Sequence, residues 1–348
     1  MAYRLKIVVC IIAVVLASGC KKDPQESFLG SGPPPRVTVY VAHDQVYSEP
    51  ILKGLEEERL EVIAAYDTES TKTVGLVNRL IAEKNNPQAD LFWNNEIAHT
   101  IALKKKGILR KISSDNARDI PATFKDPEGY WIGFGARARV IIYNTELVKP
   151  EDAPTSIYDL ADPKWKGKAG IANPLFGTTS THVAALFSAL GEEKAKEYLQ
   201  SLKANDIQIL DGNSVVRDRV GKGSILVGLT DTDDAVSGMR NGLPIAIVFP
   251  DQETIGTLLI PNTLCRLAGR SDAKKVGNVQ KVVDGILSHA TEKALAASPA
   301  AQIPLHPDVG MPEDVAYFAT SKAMQVNFND VAAKIEASAK YVQEVFIR

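Results

Sequence analysis

The sequence predicts an α/β protein of two lobes, each a mostly parallel sheet flanked by helices. Three observations predict it. Short β-type runs alternate with stretches of helical periodicity from residue 37 onward. Two longer β-rich stretches, near 130–143 and 245–260, interrupt that alternation and are the expected crossovers between lobes. The part beyond residue 35 is long enough for two units of roughly 150 residues each.

The elements follow in order. Residues 37–41 (Val-Thr-Val-Tyr-Val) are β-branched and aromatic and read as the first strand, followed by a turn at His43-Asp44 and a helix over about 49–60. Residues 61–66 are a second strand. A helix over 72–83 places Val74, Val77, Leu80 and Ile81 on one face, and a third strand spans 89–93. This is a βαβαβ half. After the 130–143 stretch the pattern resumes: strand 169–172, a helix from Thr179, helix 193–204, strand 207–210, helix 214–220, strand 224–229, a helix from Asp233 and strand 245–249. Residues 273–297 and 330–346 read as closing helices. The expected lobes are therefore 36–135 with about 250–306, and about 136–249 with 307–348.

The N-terminus carries a different signal. Arg4 and Lys6 precede an apolar run over 7–16 that closes on Ala17-Ser18-Gly19-Cys20, the form of an exported bacterial lipoprotein leader. That run is well short of the roughly 20 residues a spanning helix needs. Residues 1–19 are expected to be a cleaved signal peptide, Cys20 the lipidated residue, and 20–35, rich in Pro and Gly, a flexible tether. The protein is thus expected outside the cytoplasm, in the periplasm or at the cell surface, held to a membrane by lipid. Cys10 then leaves with the leader and Cys265 stands alone, so neither a disulfide framework nor a cysteine metal cluster is expected. Leu264-Cys265-Arg266-Leu267 uses its cysteine as a small hydrophobe. With 40 basic against 42 acidic residues and one short basic run, Lys104-Lys105-Lys106 at a helix end, nothing suggests nucleic acid as a partner.

In parallel α/β sheets ligands sit at the carboxyl ends of strands, so the polar groups that end apolar runs mark the expected site. They are His43 and Asp44; Asn95 and Glu96; Asn173 with Thr178, Thr179, Ser180 and Thr181; Asn213; and Asp231, Asp233 and Asp234. Four consecutive hydroxyl side chains opening an apolar helix exceed what a cap requires and suit an anion. Three carboxylates within four residues attract a metal ion or an ammonium group, though capping accounts for one of them. Arg137 and Arg139 share one face of a strand and could clamp an anionic ligand. Enzyme signals fail: Gly133-Phe134-Gly135-Ala136-Arg137-Ala138 is followed by β-type sequence instead of a helix, no Gly-x-Ser-x-Gly elbow exists, and the histidines show no paired metal spacing.

Ala89-Asp90-Leu91-Phe92-Trp93, Gly135-Ala136-Arg137-Ala138-Arg139-Val140 with Tyr143-Asn144-Thr145, Leu160 through Lys168 (Leu-Ala-Asp-Pro-Lys-Trp-Lys-Gly-Lys) and the Gly228-Leu229 strand end resemble the periplasmic solute-binding proteins of ABC importers, the ferric-iron-binding type in particular. The resemblance implies two α/β lobes joined by hinge strands, closing on a ligand that is handed to a permease and its ATPase, by a monomer without enzymatic activity. In ferric-iron members a His follows the first strand, a Glu often follows the third, and two consecutive Tyr follow the Gly-Leu strand, with an anion at a helix N-terminus. Here those places read Asp44 beside His43, Asn95 beside Glu96, and Asp233-Asp234. The metal set implied is Asp44, Glu96, Asp233 and Asp234, with a synergistic anion on Thr178 to Thr181 and Arg137 as the clamp. Loss of the tyrosine pair leaves iron as one ligand among several. An amine-bearing zwitterion such as 2-aminoethylphosphonate would also satisfy an anion cradle facing acids, and a secreted metal-dependent hydrolase is an alternative from another class.

Overall fold

The computed structural model describes residues 36–57, 60–67, 73–269 and 273–346. The expected signal peptide, tether and Cys20 lipidation site lie outside the described residues. The elements run β1 (Arg36–Val41), α1 (Gln45–Gly54), β2 (Glu61–Tyr66), α2 (Val74–Ala82), β3 (Leu91–Asn94), α3 (Ala98–Lys105), β4 (Leu109–Arg110) and β5 (Trp131–Asn144). Then come β6 (Ala169–Ala172), α4 (Gly177–Ala189), α5 (Glu192–Ala204), β7 (Gln208–Leu210), α6 (Asn213–Gly221), β8 (Val227–Asp231), α7 (Thr232–Arg240) and β9 (Ile245–Val248). The chain finishes with β10 (Leu259–Leu267), α8 (Ala273–Ile286), α9 (His289–Ala297) and α10 (Phe328–Phe346).

Strands β2, β1 and β3 pair in parallel, and β6 pairs in parallel with β7 and β8. Between these two parallel groups lie β10, antiparallel to β3, and β5, antiparallel to β10, β8 and β9: residues 131–138 of β5 pair with β10, residues 139–144 with β8 and β9. All fourteen residues of β5 are buried, as a strand covered on both faces requires. One continuous strand thus belongs to both half-sheets, and the register passes from one to the other between Ala138 and Arg139. The path is β2-β1-β3-β10-β5-β8-β6-β7.

Two elements differ from their expected form. The first helix begins at Gln45, earlier than expected, and carries Pro50 inside it. The Asp44 carbonyl accepts from the Tyr47 and Ser48 amides and the Ser48 hydroxyl, which starts the helix before the proline, and Pro50 is exposed. The expected helix over 273–297 is two helices. Ser288 breaks it by capping α9, accepting from the Thr291 amide at 3.2 Å and donating to the Gly285 carbonyl at 2.8 Å.

Candidate functional site

The two parallel groups run toward each other, and their carboxyl ends meet near the middle of β5. Asp44 follows β1, Asn95 follows β3, Asn173 follows β6, Asp211 follows β7 and Asp231 ends β8; the first turns of α4, α6 and α7 bring Thr178, Thr179, Asn213, Asp233 and Asp234. Together with Arg137 these residues wall one cavity of about 30 Å³. His43, Glu96, Ser180 and Thr181 are not in its wall.

Arg137 and Arg139 reach the same acids from β5, as their period-two spacing requires. Both are buried, at 2 % and 0 % exposure. Arg137 Nε lies 2.9 Å from Asp233 Oδ2, while its other nitrogens donate to the Asn95 carbonyl at 2.7 Å and Asn262 Oδ1 at 2.9 Å and approach His43 Nδ1 at 3.3 Å. Both Nη atoms of the guanidinium expected to clamp an anion are thus engaged within the protein, while its Nε, although near Asp233, makes no hydrogen bond among the described residues. Arg139 Nη1 donates to Asp231 at 2.6 Å, and Asp231 also accepts from Thr178 Oγ1 at 2.5 Å and Asn213 Nδ2 at 2.9 Å. Three donors on one carboxylate make Asp231 the structural member of the trio.

Asp231, Asp233 and Asp234 each offer an oxygen, all within 4.8 Å of one another. The wall carries Asp44, Asp211, Asp231, Asp233 and Asp234, with Arg137 on Asp233, Arg139 on Asp231 and Arg217 Nη1 at 3.7 Å from Asp234. Acidic oxygens gathered this closely form a cluster that attracts a cation. Opposite it, α4 begins at Gly177, whose φ of 52° turns the chain from the extended Phe176 into the helix. Phe176 has no side chain able to cap, so the first amides of α4 keep their partial positive charge. Thr179 Oγ1, on a residue only 2 % exposed, has no hydrogen-bond partner among the described residues. An orphan hydroxyl at an uncapped helix start is a prepared acceptor site for a small anion.

The residues outside the wall have other partners. Glu96 is fully buried and accepts from the amides of Ala98 and His99, from Asn94 Nδ2 and from Thr181 Oγ1, with His99 Nδ1 at 3.0 Å. Burial opposes its charge, yet the His99 charge and these hydrogen bonds outweigh it and hold the carboxyl below its usual range. The Ser180 amide closes the first turn of α4 on the Phe176 carbonyl. His43 stacks on Trp93 at 5.7 Å. The sequence did not point to Asp211, nor to Tyr47. The pKa of the Tyr47 phenol is raised by burial first, with Ser237 acting the other way and the charges of Asp233, Asp234 and Asp44 adding to the rise. Tyr47 is one turn beyond Asp44 and becomes visible only once the first helix is started at Gln45.

A larger cavity of about 800 Å³ opens beside the β9–β10 connection, next to Phe249 and Tyr317. Two of its three acids are already used: Asp251 accepts from Ser156 Oγ at 2.5 Å and Asp314 pairs with Arg240 at 2.5 Å. Volume without converging open polar groups does not make it the site.

A sheet joined through one shared strand, with a small acidic cavity at the strand ends, is the architecture of a protein that encloses a solute. The chain belongs to the bacterial extracellular solute-binding protein family, whose model matches residues 87–324. It is 26 % identical over 284 residues to iron uptake protein A1 of Synechocystis, covering 77 % of this chain and 76 % of that protein. The ferric binding protein of Campylobacter jejuni superposes with a TM-score of 0.80 at 23 % identity, over 89 % of this chain and 99 % of that one. A periplasmic binding protein of Actinobacillus pleuropneumoniae solved with fructose-6-phosphate superposes with a TM-score of 0.79 at 23 % identity, over 90 % and 99 % of the two chains. The two-lobed α/β fold expected from the sequence is the fold of these neighbours, and it carries both kinds of ligand. No helix among the described residues is long and apolar enough to cross a membrane.

Proposed function

We propose that the protein captures ferric iron, or another metal ion that prefers hard oxygen donors, between its lobes and delivers it to the permease and ATPase of an ABC importer. Asp233, Asp234 and Asp44 are the metal's protein ligands in this function, and a small oxyanion joins it from the start of α4 at Thr178 and Thr179. The lobes are 36–135 with about 250–306 and about 136–249 with 307–348, hinged at β5 and the 245–260 stretch. A monomer tethered by lipid on Cys20 would work outside the cytoplasm.

The observation that carries this is the donor set: Asp231, Asp233 and Asp234 each offer a carboxylate oxygen within 4.8 Å of one another, in the same cavity wall as the uncapped start of α4. Oxygen-only donors favour hard cations over copper or zinc. The names of the relatives, iron uptake and ferric binding, agree with this assignment.

Ligand-stripped protein titrated with ferric citrate, divalent metals and 2-aminoethylphosphonate, read by the fluorescence of Trp93 behind His43, tests the assignment. Saturable quenching by ferric citrate that falls at least about a hundredfold in affinity in Asp233→Ala and Asp234→Ala is expected. Tighter binding of the aminophosphonate than of iron would overturn it.

A further inference from the structure

The geometry points to Thr181 and Glu96 as a buried clasp between the two walls of the cavity, positioning residues that hold the site shut and touch no ligand. This rests on the two-lobed solute-binding function proposed above.

Glu96 follows β3 in the first half-sheet, directly after Asn95, which is part of the cavity wall. Thr181 lies in α4 of the second half-sheet, three residues after Thr178 and so on the same helix face one turn deeper. Thr181 Oγ1 donates to Glu96 Oε2 at 2.8 Å, and both residues are 0 % exposed. The bond therefore joins the neighbours of two wall residues and sets the separation of the walls. Glu96 has its own partners on its own side: the Ala98 amide at 2.6 Å, the His99 amide at 3.0 Å, Asn94 Nδ2 at 2.8 Å and His99 Nδ1 at 3.0 Å. Its carboxylate is held ready whether or not α4 is in place. Thr181 has an alternative as well, since a helical threonine can turn its hydroxyl to the carbonyl four residues back. Neither group is stranded when the walls part, and the bond is made only when they meet. A contact with that property stabilises the closed state selectively, and so slows ligand escape more than it speeds ligand entry.

The test compares wild type, Thr181→Val and Thr181→Ser at full length, with ferric citrate as the probe. Thr181→Val keeps the shape and removes the hydroxyl; Thr181→Ser keeps the hydroxyl. A charge-assisted hydrogen bond lost from the closed state alone predicts about tenfold weaker binding in the valine variant. The loss is expected in the dissociation rate, with the association rate changed less than about twofold, and with a larger X-ray scattering radius at sub-saturating probe. The serine variant is expected to match wild type. Valine binding as wild type does, or serine as weak as valine, overturns the clasp while the solute-binding function stands. Wild type that neither binds nor compacts overturns both.

Discussion

Replacing Arg137 by Met separates two roles that its position allows. The guanidinium is 2 % exposed and lies 2.9 Å from Asp233, itself 5 % exposed. Met keeps most of the stem's volume and removes the charge, so Asp233 loses its nearest cation while staying buried. Breaking a buried pair by removing one member costs about 3–5 kcal/mol. For a chain of this length each kcal/mol moves Tm by about 2 °C, so the metal-free variant should melt about 6–10 °C lower. Metal affinity should move the other way. The wall loses one positive charge, and Asp233 no longer has to exchange an arginine for the ion, so ferric iron should bind at least about tenfold tighter. Scanning calorimetry of stripped and iron-loaded protein, with a competition titration against citrate, reads both quantities. An unchanged metal-free Tm together with weaker metal binding would refute the reasoning, because it would put Arg137 on the ligand's anion, the role expected from sequence.

Thr179→Val removes a buried hydroxyl that has no partner, so the metal-free protein should gain about 1 kcal/mol while metal binding loses its dependence on added oxyanion; a destabilised variant with unaltered anion dependence would contradict this. Two of the buried histidines, His182 and His99, predict a stability maximum near pH 6.5. His182 is pushed down to about 3 by burial first and then by the Arg139 charge, so below its ordinary 6.5 the unfolded chain binds a proton that the folded one refuses, and stability falls by about 1.4 kcal/mol per pH unit as pH drops. His99 is pulled down by burial, but the charge and hydrogen bond of Glu96 win and raise it, so its contribution is complete below 6.5 and is lost as pH rises through its folded value. Chemical denaturation across this range should show both limbs, and His182→Leu should flatten the acid one alone.

Much of the architecture was legible because parallel strands impose it. Runs such as 39–41 and 227–229 are buried on both faces, and the polar residue that follows each has to emerge on the ligand side. That rule reaches Asp44, Asn95, Thr178 and Asp233 without coordinates. What it cannot reach is which polar groups are already satisfied. Asp231 and Asp233 look alike in sequence, yet Asp231 accepts three hydrogen bonds in the structure. Glu96 sits beside Asn95, but alternation along the chain end turns one toward the cavity and the other into a buried network with His99 and Thr181. Pro50 hid the start of α1, and with it Tyr47, because a proline inside a helix is indistinguishable by pattern from one at its first turn.

The arginine pair bears on how a metal-binding site of this kind can also release its cargo. Five acids with no internal cations would repel one another and leave the cavity either open or protonated before any ligand arrived. Arg139 fixes Asp231 by a 2.6 Å bond and is itself 0 % exposed, so that pair is part of the frame. Arg137 stands differently, since its partner Asp233 is also a proposed metal ligand. Binding then exchanges one ion pair for another, and the net gain is smaller than the bare metal–carboxylate attraction. The same exchange runs in reverse when the lobes part: as the ion leaves, Arg137 is already 2.9 Å from the carboxylate it frees. Asp233 therefore never faces the full cost of an unpaired buried charge in either direction. A site so arranged gives up peak affinity for reversibility, which delivery to a permease requires, and Arg137→Met should accordingly show its largest effect as a slower loss of iron to excess citrate.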